Sequence, residues 1–249
     1  MKSIDTIVIA VGGQGRRIAA DLKKREIKTS KIFLELNGKP FLSHLLDMSL
    51  ALKFRKIFLL SSYHERELQA FLKENYTTAN QIFPIYGGKM GRKWGVPWLL
   101  YSIRQKLKNP FIYSDGNIFY GKSVLKKIRE VGVQKPLVAN IVVSSKDLAP
   151  THSRIITRGG RIQKIITRLP NSKNRNIGFN GRQYYSLGLM ALSQNVFSSV
   201  SDFAYKKDLD FVIHDVFEFN KNLIKATIYN GSWSAIHTIS DVDKLGIKG

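Results

Sequence analysis

The chain contains no cysteine among its 249 residues, which excludes a disulfide framework and a thiolate metal site. It also lacks any apolar run longer than a strand, far short of the ~20 residues that cross a bilayer. Charges interrupt the apolar stretch near the amino terminus, so neither membrane insertion nor a signal peptide is expected, and the protein is read as cytoplasmic. No composition break, repeat or low-complexity linker divides the sequence. Its length suits a single α/β domain spanning residues 1–249. Acidic residues are scarce: 18 Asp plus Glu stand against 40 Lys plus Arg, a formal net charge of +22. Such a surface attracts polyanions without specificity, concentrates phosphorylated ligands and could sit near an anionic membrane face. The basic residues (Lys23-Lys24-Arg25, Arg92-Lys93, Lys126-Lys127, Arg154, Arg158, Lys173, Arg175) are scattered rather than gathered on one helix or in a nucleic-acid module. A solvated basic surface with no specific nucleic-acid partner is expected.

The first 42 residues are the most informative. Ile7-Val8-Ile9-Ala10-Val11 opens into Gly12-Gly13-Gln14-Gly15-Arg16-Arg17, the order of a buried strand feeding a glycine-rich loop. Glycines let backbone N–H groups approach an anion with no Cβ in the way, and the start of the next helix adds partial positive charge. Arginines beside the loop supply fixed countercharge. Taken alone, these glycines also suit an ordinary strand-to-helix turn.

Periodicity predicts a helix over Phe41–Phe54, a strand over Lys56–Ser62, a helix over Glu65–Glu74 and a strand over Gln81–Ile85. Strands separated by single helices imply parallel pairing with right-handed crossovers, and ligands at the strands' carboxyl ends. Ser61-Ser62-Tyr63-His64 falls at that edge, with His64 read as a solvent-facing residue opening a helix. The stretch from Tyr86 to Trp98 carries four glycines among basic residues, too flexible for a core strand. It is expected to be a second ligand-facing loop, or a surface loop anchored by Trp94 and Trp98, before a helix over Leu99–Leu107. Pro110-Phe111-Ile112-Tyr113-Ser114-Asp115-Gly116 places a carboxylate at the end of an apolar strand, facing the glycine loop. An aspartate there caps a turn or holds a cation.

Together with Lys31-Ile32-Phe33-Leu34-Glu35-Leu36-Asn37-Gly38-Lys39-Pro40-Phe41-Leu42, the glycine loop resembles the amino-terminal signature of sugar-1-phosphate nucleotidyltransferases: G-G-x-G-x-R-[LI], a variable stretch, P-K, a short strand and N-G-K-P-[FL]-[LI]. Arg16 stands where a small residue is usual, and Ser30 replaces the proline before the lysine. The resemblance implies a Rossmann-like, GT-A-like nucleotide-diphospho-sugar transferase fold with a mostly parallel central sheet. It also implies that nucleoside triphosphate and sugar 1-phosphate give nucleotide sugar and pyrophosphate, for surface polysaccharide or glycoconjugate precursors. By the same resemblance Arg17 and Lys31 are catalytic, holding the phosphates, and Gly12, Gly13, Gly15, Arg16 and Gly95 bind the nucleotide. Asp115 would hold Mg²⁺, in the place of the family's G-D-x-[LIV]-[FL] segment. Gly95-Val96-Pro97 falls where the family's backbone contacts the nucleobase.

Tyr184-Tyr185-Ser186-Leu187-Gly188 resembles the sugar-side segment N-[AT]-G-[IL]-Y, which assigns Ser186 and Gly188 to the substrate. Read without the resemblance, this is a core strand. Arg161 to Pro170 occupies the place of a strand ending in E-K-P, but Arg168 and Leu169 replace the glutamate and lysine, leaving Lys164, Arg168 or Lys173 as alternatives. Gly231-Ser232-Trp233-Ser234-Ala235-Ile236-His237-Thr238-Ile239-Ser240-Asp241 resembles the segment G-x-W-x-D-[IV]-G-T-x-x-D. Ala235 stands where a second metal-binding aspartate belongs. His237, in place of a glycine, is read as a packing or hydrogen-bonding residue. The length and Asn37–Leu42 look most like bacterial enzymes that activate mannose- or heptose-type 1-phosphates, often with GTP. Two other readings stay open: a cytidylyltransferase acting on a non-sugar phosphate such as phosphocholine, and a non-catalytic relative that binds nucleotide sugar. A homo-oligomer is left open.

Overall fold

The computed structural model describes residues 3–13, 15–27, 29–146, 153–159, 161–166, 181–202, 204–205, 217 and 221–246, without the side chains of Arg16 and Arg17. The opening apolar run forms β1 (Thr6–Ala10), and its alternation sends residues to both faces of a sheet. Ile7 and Ile9 join one core, while Val8 joins the other. A strand buried on both sides needs helices above and below it.

The chain supplies them in turn. α1 (Arg16–Lys24) follows β1, then come two short strands, β2 (Glu35–Leu36) and β3 (Lys39–Pro40), and α2 (Phe41–Ala51). β4 (Lys56–Ser61), α3 (Glu65–Asn75), β5 (Ile82–Tyr86) and α4 (Gly88–Ser102) follow, the last closed by a 3-10 turn at Arg104–Lys106. β6 (Phe111–Asp115), β7 (Ile118–Tyr120), α5 (Lys122–Val131) and β8 (Ala139–Ser144) lead to β9 (Arg154–Arg158), β10 (Arg161–Ile166) and β11 (Arg182–Leu192). α6 (Val196–Val200), β12 (Ile224–Ile228), β13 (Trp233–Ala235) and α7 (Ile239–Lys244) complete the described elements. Leu22 of α1, Phe41, Leu42 and Leu46 of α2, and Leu125 and Ile128 of α5 cover one face. Leu99 and Leu100 of α4 and Val196 and Val200 of α6 cover the other.

Strands β5, β4, β1 and β6 lie parallel, as the alternating pattern implies. Register brings Ala10 opposite both Leu60 and Asp115, so the carboxyl ends of β4, β1 and β6 are level. Beyond β6 the sheet changes character. β11 runs antiparallel to β6, β8 and β9, and β12 adds parallel to β8. The side of β10 approaches β12, curling this half of the sheet.

Periodicity places α2, β4, α3 and β5 within a few residues. The stretch from Tyr86 to Trp98 departs from expectation: after Tyr86 closes β5 it is helical from Gly88, not a loop. Gly87 and Gly91 are one helical turn apart, on a face that lies tightly against Ser62. A Cβ at Gly91 would stand 2.5 Å from the Ser62 hydroxyl, and one at Gly87 would stand 2.8 Å from the Gly91 Cα. The glycines therefore serve close packing rather than flexibility. Only Gly95, at φ 70° and ψ −158°, breaks the helix before Pro97. The helix expected over Leu99–Leu107 is correspondingly the second half of α4 and its 3-10 turn.

α7 closes the described chain. Asp241 accepts from the backbone N–H of His237 (3.0 Å) and Thr238 (2.8 Å) and from the Thr238 hydroxyl (3.0 Å), a reciprocal cap. Arg25, just past α1, donates two hydrogen bonds to Asp243 of α7, at 2.7 and 3.0 Å. Because Ile9 is fully buried between two paired strands, Ile9→Ala is expected to lower unfolding free energy by ~2–5 kcal/mol in urea titrations, and Ile9→Val by ~0.5–1.5 kcal/mol.

Candidate active site

The site grows from the level carboxyl ends of β1, β4 and β6. After β1 the chain turns across β4: the N–H groups of Val11 and Gly12 both donate to the Leu60 carbonyl, at 2.9 and 3.1 Å. A Cβ on Gly12 would overlap the backbone of Ser61 and Ser62. Gly12 is thus a packing glycine, its N–H already engaged. Gly13 is exposed with open space around it, and Gly15 takes the left-handed conformation (φ 67°) that starts α1. Arg16 and Arg17 open α1 beside this loop, with side chains outside the described set.

Asp115 ends β6, paired with Ala10 at the end of β1. The next residue, Gly116, donates its N–H to the Ala10 carbonyl at 2.9 Å, where a Cβ would stand 2.7 Å from that oxygen. The Asp115 carboxyl accepts the buried Tyr113 hydroxyl at 2.9 Å. Burial pushes the Asp115 pKa up from 3.8 to about 6, opposed by that hydrogen bond and by the positive charge of Lys31. Lys31, 84 positions from Asp115 in the sequence, therefore lies near enough for its charge to act on this carboxylate. Burial likewise holds the Tyr113 phenol well above its ordinary range, so it remains a donor.

Gly188 lies against the same carboxylate. It sits at φ 65° within a bulge of β11, and a Cβ there would overlap the Asp115 Oδ2 and stand 2.9 Å from its Cγ. Ser186 is buried, and its hydroxyl accepts the Gly188 N–H at 3.2 Å, holding the bulge from inside. The segment assigned to the sugar thus places Gly188 beside Asp115 and Ser186 behind it.

A cavity of about 820 Å³ opens alongside the glycine loop, between α1 and residues 29–32. Gly13, Gly15, Lys31 and His64 share its lining with the apolar Ile18, Leu22 and Ile32. The Ser30 hydroxyl in its wall is buried and makes no hydrogen bond among the described residues. His64 is exposed at the start of α3 in a left-handed conformation (φ 58°), as the solvent-facing reading expects, though it also faces this cavity. Gly95 does not line the cavity; it lies two helical turns along α4 from Gly87.

Among the described residues no group of three His, Asp or Glu side chains could hold a metal. Ala235, in β13, is buried and pairs with Ile118. His237 approaches Asn117 at 3.5 Å, consistent with a hydrogen-bonding role. Lys164 is exposed on β10, while Arg168, Lys173 and Arg175 lie outside the described residues. Two residues escaped the sequence reading. Tyr113 reads as one more apolar strand residue, although its place two before Asp115 puts it on the same strand face. Glu67 reads as helix surface, yet its carboxylate binds Thr29 and Ser30 next to Lys31.

No protein-family model and no curated protein sequence matches the chain. Solved structures do. The inositol-1-phosphate CTP transferase from T. maritima superposes with a TM-score of 0.74 at 16% identity, covering 98% of this chain and 95% of that one. A Bacillus anthracis protein provisionally described as a glucose-1-phosphate thymidylyltransferase gives 0.73 at 15%, covering 96% and 93%. HddC from Yersinia pseudotuberculosis gives 0.68 at 17%, covering 97% and 98%. The chain thus has the α/β fold, parallel at its centre, on which nucleotidyl-transferring enzymes are built. At these identities the likeness is one of fold.

Between about pH 4 and 6 the folded chain binds a proton at Asp115 that the unfolded chain does not. This contribution therefore falls as pH rises through that window, and above it the ionised carboxylate weighs against folding. Asp115→Asn is expected to raise stability by ~1–3 kcal/mol at pH 7.5. The gain should vanish near pH 4, as followed by urea unfolding at the two pH values.

Proposed function

We propose that residues 1–249 act as one nucleotidyltransferase domain, joining a nucleoside triphosphate to a sugar 1-phosphate or closely similar phosphate monoester. The observation that carries this reading is the convergence of an open glycine loop, Lys31 and the Asp115 carboxylate at one sheet edge, with Gly188 leaving room beside the carboxylate. Two anions that must react repel one another until fixed cations draw them together.

In this reading Gly13 and Gly15 let the loop backbone approach the triphosphate, with Arg16 and Arg17 assigned to it as fixed countercharge. Lys31 neutralises charge that builds on the phosphates. The oxygen of the acceptor phosphate attacks the α-phosphorus in line, a new P–O bond forms, the α–β anhydride bond breaks, and pyrophosphate leaves with its electron pair. Asp115 fits a hard divalent cation: it is an oxygen donor, ionised at neutral pH by its pKa of about 6, with one oxygen held by Tyr113. Mg²⁺ bound there would supply charge neutralisation to the phosphates. Gly188 and Ser186 shape the acceptor side, and Gly95 is proposed to lie toward the base.

GTP with a mannose- or heptose-type phosphate is the preferred pair, in line with the HddC structure complexed with GMP-PN. The second reading is a non-catalytic nucleotide-sugar binder, favoured by Ala235 where a second carboxylate would stand. Pyrophosphate release with Mg²⁺, four nucleoside triphosphates, a panel of sugar 1-phosphates and phosphocholine separates the readings. One pair should turn over, and Lys31→Ala and Asp115→Ala should each lower kcat by at least ~100-fold. Release only with CTP and phosphocholine would reassign the acceptor. Silence from folded protein across the panel would overturn catalysis.

A further inference from the structure

Lys31 lies between α1 and β2, where the described residues form no helix or strand. A lysine on an unsupported loop would lose much of its value, because a catalytic charge helps only when held where charge develops. The structure supplies a support from another element. Glu67, in the first turn of α3, accepts a hydrogen bond from the Thr29 hydroxyl, and the same oxygen takes the Ser30 N–H at 3.3 Å. Its other oxygen lies 3.4 Å from His64 Nδ1. One carboxylate thus holds the two residues before Lys31, with His64 beside it.

We propose that Glu67 is a positioning residue that clamps the Thr29–Ser30 segment and so fixes Lys31 over the phosphates. Ser30 is what makes the clamp available: it offers an N–H that proline, the signature residue at that place, cannot offer. Where proline stiffens the chain covalently, this chain donates a charge-assisted hydrogen bond to a carboxylate on a neighbouring helix. Glu65 anchors the same turn on the opposite side, accepting the Gly88 N–H of α4 at 2.7 Å. The first turn of α3 therefore spans from the Lys31 segment to the start of α4.

This inference rests on the nucleotidyltransferase reading for its catalytic consequence but not for its structural one, so two readouts are needed. Hydrogen–deuterium exchange on Glu67→Ala should show faster exchange in peptides covering residues 29–33, with β1 and β4 unchanged. Glu67→Gln keeps an acceptor oxygen and should leave exchange near the wild-type rate. In pyrophosphate release, Glu67→Ala should lower kcat/KM roughly 10- to 100-fold. The double variant Glu67→Ala/Lys31→Ala should be no slower than Lys31→Ala alone, as expected of residues acting as one unit. Unchanged exchange at 29–33, or effects that multiply, would overturn the clamp. Wild-type protein without turnover would overturn only the enzyme reading, because the exchange comparison still decides whether Glu67 holds the segment.

Discussion

An ionised carboxylate drawn out of water at the end of a strand must be met by donors and charge, and at Asp115 much of the surrounding structure answers that demand. The level ends of β1 and β6 bring it beside the glycine loop. Gly116 lets the end of β6 close against Ala10, Gly188 leaves room beside the carboxylate, and the Tyr113 hydroxyl and the charge of Lys31 favour its ionised form against the cost of burial. A carboxylate in this state is a poor stabiliser of a fold and a good ligand for charge. Local rules are commonly broken in this way at functional sites.

The parts of the site legible in the sequence were those carried by strongly patterned local segments. An apolar strand ending in Gly12-Gly13 and another ending in Asp115-Gly116 are each read from a few consecutive residues, and parallel pairing then sets both at one edge. The stretch from Tyr86 to Trp98 was misread because composition cannot tell a glycine needed for flexibility from one needed for contact. Gly87 and Gly91 become intelligible only against Ser62, whose hydroxyl leaves no room for a Cβ. The antiparallel half was only partly visible, since β11 exchanges neighbours along its length, pairing with β9 at one end and β6 at the other. Glu67 left no signal, being 36 positions from Lys31 on a helix whose pattern is that of any amphipathic surface helix.

Among the described residues most basic side chains lie at the surface, Arg154 being buried. Ion pairs such as Lys39–Asp47 and Lys126–Glu130 are solvent-exposed, and such pairs add little to stability. With a formal charge of +22, most cations lack an acidic partner of their own. Their collective field favours the approach of phosphorylated ligands, an effect that salt screens, whereas Lys31 and Asp115 act at short range.

The most direct test of the central claim is the position of a divalent cation. A crystal grown with Mn²⁺ and a non-hydrolysable nucleoside triphosphate should show an anomalous-scattering peak within ligand distance of an Asp115 carboxylate oxygen, with the phosphates lying between the glycine loop and Lys31. Manganese and nucleotide bound elsewhere, with Asp115 touching neither, would contradict the account.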